Sequence, residues 1–100
     1  MSDAGADSRP TVGAQFGAAV RAAREKAGIS QSEAALRADM DASAWAKLER
    51  GMTANPTLVA VLTIVAALNV PAGELLQGIT AARRRTKLTA ARLIRERRSS

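Results

Sequence analysis

Apolar side chains at Phe16, Val20, Ala23 and Ala27 recur at intervals of four, three and four residues, while Arg21, Glu25 and Lys26 fall mostly off that face. This is the period of a helix with one buried side. It predicts a first helix from near Val12 to Ala27, stopped by Gly28 as a left-handed C-cap. Ser30-Gln31-Ser32-Glu33 has the form of a capping box, with the serine oxygen on a backbone N–H and Glu33 reaching back to the cap. A second helix then covers 30–38. Asp39 and Met40 make a turn, Asp41 caps a third helix that extends to about residue 50, and Gly51 stops it. On that helix Trp45 and Leu48 point inward, and Ser43 and Lys47 outward. Asn55-Pro56-Thr57 marks a loop followed by an N-cap, so a fourth helix covers 58–68. Pro71 suits the first turn of a short fifth helix ending near Leu76. Thr80 caps a last helix over 81–98. With no strand pattern and no internal repeat, the chain is expected to be all-α.

Composition narrows the chemistry. Of the apolar residues, 47% of the chain, 23 are alanine, with one Phe and one Trp. That supports a thin core and no large substrate cavity. The absence of Cys and His removes disulfides, the commonest zinc ligands and the commonest general base. Residues 25, 33, 49 and 74 are glutamates better explained by capping and pairing than by catalysis. No phosphate loop, nucleophile elbow or dinucleotide fingerprint is present. No enzymatic activity and no cofactor or metal are expected. The run 58–68 is broken by Thr63 and too short to cross a bilayer. Residues 1–12 carry Asp3 and Asp7 and no apolar run, unlike a signal peptide. A soluble cytoplasmic protein without membrane association is expected.

Charge is unevenly placed. Residues 1–80 hold 7 basic and 8 acidic side chains, net −1, and residues 81–100 hold 8 basic and 1 acidic, net +7. Attraction to a polyanion therefore falls on the tail and not on the helical domain. The expected organisation is a disordered tail over 1–11, a helix-turn-helix domain over 12–79, and a basic helix or tail over 80–100.

The stretch 28–51 satisfies the physical needs of a groove reader. One helix lies across the sugar-phosphate backbone, a tight turn fixes the angle, and a second helix directs its first residues into the major groove. Gln31, at the start of helix two, is placed for a phosphate. Phe16-Gly17, Val20-Arg21 and Arg24 are followed by Gly28-Ile29-Ser30-Gln31, Ala35 and Met40. Leu48-Glu49-Arg50-Gly51, Asn55-Pro56 and the stretch 68–76 complete the series. In this order the residues resemble the Cro/phage-repressor type (xenobiotic response element) of helix-turn-helix transcriptional regulators, over roughly 60 residues.

The resemblance implies a five-helix domain, here with an additional basic C-terminal helix, acting as a homodimer on a pseudo-palindromic operator. It implies a partly buried structural ion pair between Arg24 and Glu49. Its base-reading positions fall on Ala42, Ser43 and Lys47, with Ala46 nearby. Gln31, Ser32, Asp41, Arg50, Thr53 and Asn55 complete the candidate DNA-binding set. Arg83, Arg84, Arg85 and Lys87 are candidate phosphate contacts in the tail, where Leu88, Ala91 and Ile94 alternatively form a dimer helix face.

Several positions depart from the family pattern. Asp39 stands where the turn usually carries Gly, a left-handed position that Asp tolerates better than most residues. Ala34 replaces a core Leu and Trp45 an Ile or Val, an exchange of volume. Helix four is apolar almost all round, with Val59, Ala60 and Ala66 at usually polar places. Such a helix is expected to be buried on more than one side, against another subunit or the chain's own C-terminal helix. Leu36 is assigned to a similar patch.

The expected function is sequence-specific binding of double-stranded DNA by a homodimeric regulator, bacterial or from a phage, that represses by occupying an operator. Two alternatives remain open at this level. One is an antitoxin that binds DNA through this domain and a protein partner through its apolar patch. The other is a protein-interaction adapter using helix four and Leu36.

Overall fold

The computed structural model describes residues 10–81, and within them the chain is five helices and their connections. They are α1 (Val12–Ala27), α2 (Gln31–Arg37), α3 (Ala42–Glu49), α4 (Leu58–Leu68) and α5 (Ala72–Leu76). The first three starts, at Thr11, Ser30 and Asp41, all have extended backbone. Thr11 Oγ1, Ser30 Oγ and Thr57 Oγ1 accept the N–H groups of Ala14, Glu33 and Ala60 at 3.0, 3.0 and 3.1 Å, satisfying orphan donors of α1, α2 and α4.

Two capping expectations are corrected. Glu33 does not reach back to Ser30, because its Oε2 accepts from Arg37 Nε at 3.0 Å, one turn further along α2. Asp41 occupies the N-cap of α3 but makes no side-chain capping bond.

Helices α1, α2 and α3 end in the same way. The residue after the left-handed position donates to the carbonyl five back: Ile29 to Arg24, Met40 to Ala35, Met52 to Lys47. The left-handed residue itself donates three back: Gly28 to Glu25, Asp39 to Leu36, Gly51 to Leu48. This paired closure requires a left-handed residue. Gly28 (φ 73°) and Gly51 (φ 76°) supply it at no steric cost, and Asp39 supplies it at φ 55°.

α2 packs on α3 and α4, and α1 packs on α3, α4 and α5. The core between them contains Phe16, Val20, Ala34, Ala35, Trp45, Leu48, Ile64, Leu68 and Leu75. Trp45 and Ala34 are both fully buried in this one cluster, so a large side chain on α3 and a small one on α2 share a single core. Ala27, expected on the inner face of α1, is exposed. The helix reaches past the core by that point.

The close approach of α1 to the end of α3 depends on two glycines one turn apart. A Cβ on Gly17 would stand 2.2 Å from the Leu48 carbonyl oxygen, and one on Gly13 1.6 Å from that of Thr53. Backbone therefore packs on backbone, and the Gly13 N–H donates to the Ala54 carbonyl at 2.9 Å. These contacts fix where α3 ends and the following loop begins.

α4 is not covered on its outer side within the described residues. Ile64, Ala67 and Leu68 are buried, but Leu58, Val59 and Leu62 are exposed, as is Leu36 on α2. Residues 82–98 of the expected last helix, with the basic cluster, lie outside the described residues. Among the described residues, no helix is long and apolar enough to cross a membrane.

Candidate nucleic-acid interface

α3 has two chemically different sides. Trp45, Leu48 and Glu49 are buried, whereas Ala42, Ser43 and Lys47 are exposed and Ala46 is half-buried. The buried side is an anchor. Glu49 accepts four hydrogen bonds on its two carboxylate oxygens. Arg24 Nε and the Trp45 indole Nε1 donate to Oε2, each at 2.5 Å. Arg24 Nη2 (3.0 Å) and Gln31 Nε2 (2.9 Å) donate to Oε1. Arg24 spans further, with Nη1 on the Ile29 carbonyl at 2.9 Å, so one guanidinium ties α1, the α1–α2 turn and α3 together.

The electrostatics follow from that geometry. Burial alone drives the Glu49 carboxyl upward. The hydrogen bonds from Arg24, Gln31 and Trp45, with the charge of Arg24, outweigh it and hold the group below its ordinary value. The hydrogen bond to Glu49 holds Arg24 above its own ordinary value, against desolvation. Both groups are ionised at neutral pH.

Four of the candidate contact residues, Gln31, Ser32, Ala46 and Arg50, come together around one cleft. Gln31 is half-buried with one amide N–H committed to Glu49, which sets the direction of its remaining polar atoms. Ser32, Asp41, Arg50, Thr53 and Asn55 are exposed. Gln31, Ser32, Ala46 and Arg50 share an open cleft with Arg21, Arg24 and Ser30. Arg21 also pairs with Glu25 at 3.3 Å on the surface of α1. Arg24 is committed to Glu49 and Ile29, so the cleft's donors suited to phosphate oxygens are the guanidinium groups of Arg21 and Arg50 and the hydroxyls of Ser30 and Ser32. Arg83, Arg84, Arg85 and Lys87 lie outside the described residues.

Sequence reasoning misses the roles of three residues. It treats Trp45 as an apolar side chain alone, although Trp45 and Glu49 stand four apart on one helix, close enough for the indole N–H to meet the carboxylate. It does not link Arg21 to the cleft, and no local spacing signals that link. It gives Gly13 no role, although the four-residue spacing from Gly17 is a signal of backbone approach.

Residues 15–77 match the family described as helix-turn-helix domain. The clp gene regulator ClgR from C. glutamicum is similar in structure, with a TM-score of 0.65 and 24% identity over 68% of this chain and 87% of that one. The restriction-modification controller protein C.AhdI from Aeromonas hydrophila is also similar, with a TM-score of 0.59 and 33% identity over 63% of this chain and 94% of that one. No curated protein matches the chain.

Proposed function

Since the chain belongs to the helix-turn-helix domain family, we propose that it is a DNA-binding transcriptional regulator whose α3 reads the major groove. The observation that carries this reading is the division of α3. Its inner side is locked by Trp45, Leu48 and Glu49, and its outer side presents Ala42, Ser43 and Lys47 to solvent. A recognition helix needs both properties, a rigid mount and a bare row of side chains at its N-terminal part.

The reading set is lean. Lys47 donates to guanine, Ser43 is promiscuous, and the alanine methyls contact thymine. Specificity then draws on DNA shape as well as base contacts. Gln31, Ser32 and Arg50, beside the arginine-lined cleft, hold the phosphates and set register. Asp41, Thr53 and Asn55 flank them. The tail cluster Arg83, Arg84, Arg85 and Lys87 adds affinity independent of sequence.

The chain acts as a cytoplasmic homodimer on a two-fold-symmetric operator, its half-sites about one helical turn apart, and it represses by occupancy. The similarity to a restriction-modification controller protein supports a control role. An antitoxin or adapter would instead need the exposed side of α4 free for a different protein.

Selection from a random duplex pool at physiological salt, with the full chain, tests the reading. A shared two-fold-symmetric motif is the expected result. Recovery of no motif would overturn it.

A further inference from the structure

Half of the basic side chains in residues 10–81 meet at one place. This part of the chain carries six basic and six acidic residues and is neutral as a whole. Three of the six, Arg21, Arg24 and Arg50, line the open cleft beside α3. Glu49 offsets the charge of Arg24. Arg21 pairs through Nε with Glu25 at 3.3 Å, on the exposed surface of α1, and Glu25 does not line the cleft. Arg50 has no ion pair among the described residues.

The packing of α1 on α3 fixes the spacing of Arg21 and Arg50. Arg21 lies on α1 between two points where that helix meets the end of α3. One turn before it, Gly17 packs so closely that a Cβ there would stand 2.2 Å from the Leu48 carbonyl oxygen. One turn after it, Arg24 is bonded to Glu49, the neighbour of Arg50. Arg21 and Arg50 are therefore brought to one cleft from different parts of the chain. Like charges lining one cleft repel each other, and an anion between them turns that repulsion into attraction.

We propose that Arg21 and Arg50 together hold one phosphodiester group of the DNA backbone, which adds α1 to the interface. A guanidinium is a planar fork of N–H donors that matches phosphate oxygens. With Nε of Arg21 on Glu25, its two Nη groups remain to donate. Glu25 works against the contact, because it sets a carboxylate beside the same guanidinium. This contact rests on the DNA-binding reading of the chain, but it involves no base-reading side chain.

Arg21→Gln and Glu25→Gln break the same exposed ion pair, yet opposite effects on DNA binding are expected. The full-length native chain and its variants are titrated against the selected duplex and an unrelated one, over a range of salt concentrations. Arg21→Gln is expected to weaken both complexes by the same factor, on the order of threefold. Glu25→Gln is expected to tighten both. Arg37→Gln removes a cation from the other exposed pair, Arg37–Glu33, which lies outside the cleft, and is expected to change affinity far less. Arg21→Gln with Arg50→Gln is expected to lower the log–log salt slope by about 0.9 per bound chain, the value for one phosphate. Weaker binding by both Arg21→Gln and Glu25→Gln would overturn the proposal, since the pair would then serve only α1. Unchanged affinity in Arg21→Gln, or an equal loss in Arg37→Gln, would overturn it as well. A slope change about twice as large would give each arginine a phosphate of its own and rule out the shared site. In all these cases the native chain still prefers the selected duplex, so the groove-reading function stands. A native chain that binds neither duplex would remove both readings.

Discussion

The indole Nε1 of Trp45 donates to Oε2 of Glu49, one turn further along α3, at 2.5 Å, and both side chains are buried. The bond joins the largest side chain of the core to the carboxylate that holds Arg24 and Gln31. Removal of a large core residue and removal of a polar mount therefore coincide at one position.

Trp45→Phe keeps an aromatic ring in the core but deletes the donor and leaves the space of the second ring empty. A hydrogen bond to a charged acceptor contributes about 1.5–3 kcal/mol. Chemical denaturation followed by circular dichroism is expected to show a decrease of at least that size, since the smaller ring also leaves a cavity. A change within about 0.5 kcal/mol, the size of an ordinary surface substitution, would show that the bond contributes nothing to stability.

Glu49 links stability to pH. Its carboxyl is held below the ordinary range in the folded chain, so the unfolded chain binds the proton at higher pH. The pair with Arg24 then contributes fully above the unfolded value, about 4.3, and the contribution is lost as pH falls through the folded value. Melting temperature is expected to drop below about pH 4–5 in the native chain. Glu49→Gln is expected to be less stable at neutral pH, because Arg24 keeps its charge without a partner. Its melting temperature is also expected to fall less steeply with acid, and equal slopes in the two proteins would contradict the assignment.

Asp39 closes α2 in a left-handed conformation that Gly28 and Gly51 adopt freely at the ends of α1 and α3. Left-handed backbone costs a residue with a side chain about 1–2 kcal/mol, partly offset by the extra freedom glycine has when unfolded. Asp39→Gly is therefore expected to raise stability by up to about 1 kcal/mol, read as a higher melting temperature. A less stable variant would mean that the Asp39 side chain contributes an interaction of its own.

The cationic tail is expected to act through phosphates. Replacing Arg83, Arg84, Arg85 and Lys87 with glutamine in the full chain is expected to flatten the dependence of DNA affinity on salt. The log–log slope should fall by about 0.9 for each phosphate that the tail no longer neutralises. An unchanged slope would place the cluster off the DNA.

The helices are legible in the sequence because their ends carry local chemistry. Gly28, Ser30, Gly51 and Thr57 punctuate the chain through backbone geometry and short-range hydrogen bonds, which need no knowledge of the fold. Relations between helices are less legible. Glu49 is surrounded by donors from α1, α2 and α3, and only the family resemblance points to its pairing with Arg24. The inward turn of the Gln31 amide depends on α2 and α3 being already packed, so no spacing rule reveals it. The apolar character of helix four is plain in the sequence, but burial on more than one side does not follow from the described fold.

The measurement closest to the central claim compares the native chain with the Ser43→Ala, Lys47→Ala double variant. Both are titrated against the selected duplex and against an unrelated duplex of equal length. Each base contact discriminates by about 1–3 kcal/mol, so affinity for the selected duplex is expected to fall at least about tenfold. Affinity for the unrelated duplex is expected to fall far less, and the melting temperature to stay the same. Undiminished preference for the selected duplex would show that the outer side of α3 is not the reader.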